Sequence, residues 1–126
     1  MKEVKSIINK VENKQPSNLE AEQALLGSIL VNNDIIDEIS TLIINANIFY
    51  DPAHVKIYES IEILNNKGMV ANPITLKNFF EKDNMLNDVG GTEYLVKLTR
   101  FSGSTKQAID YAKIIHEMYL RRELVM

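Results

Sequence analysis

The chain has 126 residues, 45% of them hydrophobic and 25% charged, which is typical of one globular domain. It contains no cysteine, which excludes a disulfide framework, a catalytic thiolate and a cysteine-ligated zinc site, and which fits a reducing cytoplasm. Its net charge of −3 favours a protein partner over DNA, because affinity for DNA depends on clustered Lys and Arg. Apolar stretches such as residues 39–48 are too short and too interrupted to predict a membrane span.

The first fifteen residues are predicted to form a solvated N-terminal arm that ends at Pro16. Within this arm, an amphipathic helix is the alternative, because four apolar residues have helical spacing: Val4, Ile7, Ile8 and Val11.

The first firm helix is predicted to begin at Ser17, which forms an S-x-x-E capping box with Glu20. Gly27 lies inside this helix, where glycine costs about 1 kcal/mol relative to alanine. We therefore expect another backbone to approach Gly27 closely. Asn32 and Asn33 are expected to end this helix.

Five further helices are predicted from apolar spacing and from helix start and stop signals. The second covers about residues 34–44, and its inward side chains are predicted to be Ile35, Ile36, Ile39, Leu42 and Ile43. The third runs from Asp51-Pro52 to Lys67-Gly68. The fourth and fifth cover about residues 75–82 and 93–100, and the last begins at Thr105, with Ser104 as its cap.

No stretch alternates with a period of two, so the predicted fold class is all-α, a compact bundle of about six helices. The predicted organisation is an arm over residues 1–15, a globular head over 16–102 and a long helix over 103–126. The last helix reaches residue 126 without a stop signal, from which we expect the natural protein to continue.

The last helix carries more apolar surface than one packed face requires. One stripe is expected to face the other helices: Ala108, Tyr111, Ala112, Ile115, Met118 and Tyr119. A second strip, formed by Ile109, Leu120 and Leu124, lies away from it and predicts a second neighbour. The predicted interface therefore consists of Ile109, Leu120 and Leu124, with Ile114 and Met118 beside them. Scattered surface apolar residues are the alternative.

Motifs for catalysis are missing from the sequence. There is no phosphate loop, and Gly90-Gly91 is interpreted as a structural turn because acidic residues flank it. His54 and His116 lack metal-ligand spacing and are expected at the surface or partly buried. A solvated acidic surface, or alternatively a docking site for a basic partner, is predicted from Glu20, Glu22, Asp34, Asp37 and Glu38.

Several segments resemble, in order and spacing, the N-terminal domain of DnaB-type hexameric replicative helicases. The first is Pro-Ser-Asn-Leu-Glu-Ala-Glu-Gln-Ala-Leu-Leu-Gly at residues 16–27. The others are Asn-Ile-Phe-Tyr at 47–50 with the helix after it, Pro-Ile-Thr-Leu at 73–76, Val-Gly-Gly-Thr at 89–92, and the segment from residue 108 to Arg121-Arg122-Glu123-Leu124. Asn47 and Ser17 depart from the family's usual aspartate and histidine.

The resemblance implies a collar domain of an ATP-driven ring that unwinds DNA at bacterial replication forks. In this family the collar is a trimer of dimers built from paired helical hairpins, and it contacts primase and, in some bacteria, a helicase loader. The last helix would be the first arm of a truncated hairpin. The motor domain, which would bind ATP and magnesium, would lie beyond residue 126. By itself, this domain is therefore expected not to be an enzyme. It is also expected to hold no cofactor and to bind DNA only weakly.

The competing interpretation is a small helical DNA-binding regulator, for which Lys77 and Lys82 on the fourth helix are the best support. The acidic balance and the lack of an Arg-rich recognition helix count against it. A stand-alone enzyme has no motif to support it.

Overall fold

A computed structural model describes residues 17–124, and over this range the chain forms α-helices and no strand. The helices are α1 (Leu19–Val31), α2 (Ile35–Glu38), α3 (Pro52–Asn66), α4 (Pro73–Glu81), α5 (Gly91–Thr99) and α6 (Thr105–Leu124). Two 3-10 helices, Ala46–Ile48 and Asn87–Val89, precede α3 and α5. The predicted all-α class is confirmed, whereas the predicted arm over residues 1–15 lies outside the described residues.

Helix α1 is the central element, and α2, α3, α5 and α6 all pack against it. Every residue from Ala24 to Leu30 is buried. A helix that is buried on all sides needs apolar or small residues around its whole circumference, and α1 has them. The rest of the bundle is therefore arranged around this one helix.

Helix α6 packs along α1 through a stripe of small and branched side chains. Ala108, Ala112 and Ile115 are fully buried, and Tyr111 and Tyr119 pack against the same core from its edge. This confirms most of the predicted inner stripe. Because these residues share the core of α1, α6 is part of the bundle within one chain, and a separate role in assembly stays a prediction.

The helix caps agree with the sequence at one end of the chain and differ at the other. Ser104 and Gln107 form a reciprocal cap at the start of α6, with Gln107 N–H donating to Ser104 Oγ at 3.1 Å and Ser104 N–H donating to Gln107 Oε1 at 2.8 Å. The predicted cap at Ser17 is wrong. Asn18 caps α1 instead, and its Oδ1 accepts from Ala21 N–H at 2.9 Å, because Asn18 is three residues before that orphan donor.

The predicted second helix over residues 34–44 is wrong in length, since α2 spans only Ile35–Glu38. The chain continues in turns, and Ile43 N–H donates to Ile39 carbonyl oxygen at 2.8 Å. The interruption coincides with Ile39-Ser40-Thr41, which are poor helix formers. Ser40 Oγ also donates to Asp37 carbonyl oxygen at 3.2 Å and so competes with the helical pattern. Ile35, Ile39 and Ile43 are nevertheless buried as predicted, whereas Ile36 and Leu42 are only partly buried.

The expected close approach to Gly27 is confirmed. A Cβ atom at this position would overlap the carbonyl oxygen of Leu98 and would lie 2.8 Å from its carbonyl carbon. The neighbouring Ser28 Oγ donates to Ala24 carbonyl oxygen at 2.7 Å and accepts from Gly103 N–H at 2.9 Å. The middle of α1 is thus joined to the segment between α5 and α6.

Ionisation of Tyr58 is expected to make the stability of the domain depend on pH in the alkaline range. Its buried ring packs on Phe49 at 5.2 Å between centroids, and burial, with the nearby Glu62 carboxylate, raises the pKa of Tyr58 to about 12. An unfolded tyrosine ionises near pH 10. The contribution of Tyr58 to the free energy of unfolding is therefore complete below pH 10 and is lost between pH 10 and about 12. We expect the free energy of unfolding to fall by about 1.4 kcal/mol per pH unit from this group in that range. Urea titrations at several pH values should show a smaller fall for Tyr58→Phe, and an unchanged fall would contradict the assignment.

Candidate protein interface

The outer surface of α6 exposes large apolar side chains. Leu120 is 45% exposed and Leu124 is 84% exposed. Ile109, Ile114 and Met118, the other members of the predicted interface, are partly buried, and Ile109 and Ile114 also pack against the core. Leu120 and Leu124 therefore form the most accessible part of the predicted interface.

The five predicted interface residues lie on two flanks of α6. Ile114 lines a groove between α6 and the start of α1. At about 100° per residue, Leu120 lies about 120° around the helix from Ile114. His116 is on the flank of Ile109 and Leu120, and its Nδ1 donates to Leu42 carbonyl oxygen at 2.9 Å. Ile109, Leu120 and Leu124 thus share one flank, and Ile114 and Met118 share the other.

The last turn of α6 is attached to the body of the domain by Arg122. Its Nη2 donates to Ile48 carbonyl oxygen at 2.7 Å. Its guanidinium also lies 5.4 Å from the centre of the Tyr50 ring and 5.9 Å from that of Tyr119, within the range of cation–π attraction. These contacts fix the end of the helix and so present Leu120 on an ordered surface.

The predicted acidic surface is correct for four residues and wrong for the fifth. Glu20, Asp34, Asp37 and Glu38 are exposed, whereas Glu22 is 1% exposed. Glu22 precedes Leu25 and Leu26 by three and four residues, so the helical period places it on the same inward face. Closeness in sequence suggests one acidic surface, but the helical period separates Glu22 from the other four residues.

Buried Glu22 accepts three hydrogen bonds, two from the residues that lead into α3 and one from the first turn of α3. Its Oε2 accepts from Tyr50 N–H at 2.7 Å, and its Oε1 accepts from Asp51 N–H at 3.3 Å and from His54 Nδ1 at 2.8 Å. A buried carboxylate is costly unless its oxygens have partners, and here both have them. The carboxylate therefore joins α1 to the start of α3.

His54 continues this network, and the expectation that it lies at the surface or is partly buried is wrong. The side chain is 1% exposed, and its Nε2 accepts from the Tyr94 hydroxyl at 2.6 Å. The two rings are stacked with centroids 5.9 Å apart, and Gln23 Nε2 donates to the same hydroxyl oxygen at 3.1 Å. No local sequence pattern predicts this arrangement, because its four members come from three distant segments. His116, by contrast, is partly buried as expected.

Burial raises the pKa of Tyr94 above its ordinary value, and the negative charges of Asp51 and Glu22 act in the same direction. The hydrogen bond from Gln23 opposes this rise. The phenol accordingly keeps its proton at neutral pH and can donate it to His54. We interpret this network, defined by Glu22, Gln23, His54 and Tyr94, as structural, since it joins α1, α3 and α5.

Other sequence candidates receive little support as sites. Gly90 and Gly91 have φ values of 98° and 76°, as a structural turn requires. Lys77 is the candidate DNA contact on α4. Its Nζ lies 3.9 Å from Glu81 Oε1, and the carboxylate partly neutralises its positive charge. Between residues 17 and 124 no three His, Asp or Glu side chains are grouped to hold a metal ion. No helix in this range has the length and apolarity needed to cross a membrane.

The chain is similar to proteins of bacterial DNA replication. Residues 14–117 match the family model described as the DnaB-like helicase N terminal domain. The replicative DNA helicase DnaB of Rickettsia bellii is 41% identical over 110 residues, and the replicative DNA helicase DnaC of Bacillus subtilis is 31% identical over 110 residues. These alignments cover 87% of this chain but only 22% and 24% of the two helicases.

A solved structure has the same fold. The N-terminal domain of DnaB helicase from Mycobacterium tuberculosis superposes with a TM-score of 0.83 at 32% sequence identity. The superposition covers 89% of this chain and 80% of that domain.

Proposed function

Because the chain belongs to the DnaB-like helicase N-terminal domain family, we propose that it is an assembly and docking module of a replicative helicase. The chain spans about a fifth of the length of the curated helicases that it matches. The module is not the motor. In the whole protein, a separate ATP- and magnesium-dependent motor would unwind DNA in the bacterial cytoplasm.

The observation that carries this proposal is the apolar flank of α6 formed by Ile109, Leu120 and Leu124. Leu120 and Leu124 are exposed, although the helix already has a complete inner stripe. Burying exposed apolar side chains contributes about 25 cal/mol of favourable free energy per Å² of apolar surface, so pairing of α6 with a second copy would be stabilising. Arg122 and His116 hold the helix in place for such pairing.

Pairing of this flank would generate dimers, and three dimers would form a hexameric collar. Ile114 and Met118 lie on the other flank of α6, so they would be outside this contact. The collar would also dock primase and, where one exists, a helicase loader. Family membership supports this part of the proposal. The alternative of a DNA-binding regulator has no observation in its favour, since the domain is acidic and Lys77 faces Glu81.

We expect Leu120→Asp to weaken self-association by at least about tenfold, because a charged group would have to be desolvated in the interface. Leu124→Asp should act in the same direction. Sedimentation velocity measures the association, and circular dichroism measures the helix content, which should not change. Val96→Asp on α5 is the matched control, since Val96 has a similar exposure of 40%. Equal association of Leu120→Asp, Leu124→Asp and the wild type would refute the proposed flank.

A further inference from the structure

The apolar flank of α6 has one charged residue in its middle. On a helical wheel Lys113 lies about 20° from Leu120, between the directions of Leu120 and Leu124. Lys113 is exposed and forms no ion pair with any residue of the described range 17–124. A contact that buries Leu120 against another molecule would also cover the Lys113 ammonium beside it, and a covered charge requires a partner. That partner has to come from the other molecule.

Glu117 supplies the complementary charge on the same side of the flank. It lies one turn after Lys113, about 40° further around the helix. Glu117 is exposed, and its Oε1 accepts from Arg121 Nη2 at 2.8 Å. This hydrogen bond orients the carboxylate and leaves Oε2 to accept from a lysine of another copy.

The symmetry of a pair determines which residues meet. In a two-fold contact, residue i of one copy meets residue j of the other, and j meets i. If the two α6 helices were parallel, each Lys113 would face the other Lys113, and the two positive charges would repel. If the helices are antiparallel, with the two-fold axis near Ile115, Lys113 of each copy faces Glu117 of the other. The same arrangement places Ile109 against Leu120, because the midpoints of the two pairs agree within about half a residue.

We propose that the chain pairs with a second copy through antiparallel α6 helices, with reciprocal Lys113–Glu117 ion pairs beside reciprocal Ile109–Leu120 contacts. This inference rests on the self-association proposed above and adds its orientation and register. The charges select the register. Moving the two-fold axis by about half a turn toward either end of the helix would bring Lys113 against Lys113 or Glu117 against Glu117.

Charge reversal tests this register. Lys113→Glu and Glu117→Lys should each raise the dissociation constant of the dimer about tenfold, because each puts two repelling contacts where two attracting ones were. An equimolar mixture of the two variants should associate about as strongly as the wild type, since every contact in the mixed pair again joins opposite charges. Sedimentation velocity at low ionic strength measures the association, and circular dichroism should show an unchanged helix content.

Lys97→Glu on α5 is the matched control, since it makes the same change of charge at an exposed lysine outside the flank. Its dissociation constant should stay within about twofold of the wild-type value. Charge reversals that associate as well as this control, or a mixture no stronger than either variant alone, would overturn the register. Weaker association of Leu120→Asp would then still support the flank itself. A wild type that is monomeric at every concentration would overturn both proposals.

Discussion

Gly27→Ala is expected to destabilise the domain by roughly 2–4 kcal/mol, although alanine is the better helix former. Helix propensity alone would stabilise α1 by about 1 kcal/mol. The new methyl group, however, would overlap the carbonyl oxygen of Leu98, which is backbone and cannot rotate away. To relieve the overlap, α5 would have to move and break the contact between Ser28 Oγ and Gly103 N–H. The steric effect therefore exceeds the gain in propensity.

Urea unfolding followed by circular dichroism measures this effect. Gly68→Ala is the matched control, because an added Cβ there meets nothing within 4 Å and only the positive φ of 78° opposes it. That control should lose only about 1–2 kcal/mol. If Gly27→Ala were as stable as the wild type, α1 and α5 could not be as close as described.

Glu22→Ala is expected to have the largest effect, a loss of about 3–5 kcal/mol of stability. The substitution removes the acceptor for His54 Nδ1 and for the N–H groups of Tyr50 and Asp51. Each buried donor left without a partner costs about 1–3 kcal/mol. A loss of this size is a large fraction of the roughly 5–15 kcal/mol of total stability that is typical of a domain. Thermal unfolding by circular dichroism is the simplest measurement.

Two further variants separate the network from other roles of α1. Glu22→Gln keeps the size and one acceptor oxygen, so it should lose less stability than Glu22→Ala. Glu20→Ala removes an exposed carboxylate from the same helix and should change stability by no more than about 0.5 kcal/mol. Similar losses for Glu20→Ala and Glu22→Ala would show that the buried contacts are not the cause.

The helices were predictable where local signals are strong. Asp51-Pro52 begins α3, with Asp51 Oδ1 accepting from Ala53 N–H at 2.8 Å, and the Lys67-Gly68 pair ends it. The tight contact at Gly27 was also predictable, because glycine lowers the stability of a helix and a close backbone contact can compensate for this cost. The length of α2 was missed because its apolar spacing persists through turns that still bury Ile39 and Ile43.

The buried network was not predictable from local patterns. Glu22 and His54 are 32 residues apart, and His54 and Tyr94 are 40 apart, so their contact depends on tertiary packing. The inward position of Glu22 could have been found from the helical period, but its partners could not. For the candidate interface, the wheel identified Leu120 and Leu124 as surplus apolar surface, and both are exposed.

Sedimentation equilibrium over a wide concentration range measures whether the chain self-associates through the flank of Ile109, Leu120 and Leu124. We expect reversible dimers or hexamers whose average mass rises with concentration and falls on Leu120→Asp substitution. A monomer at every concentration, with the helix content intact, would contradict the claim that α6 carries the assembly contact in this chain.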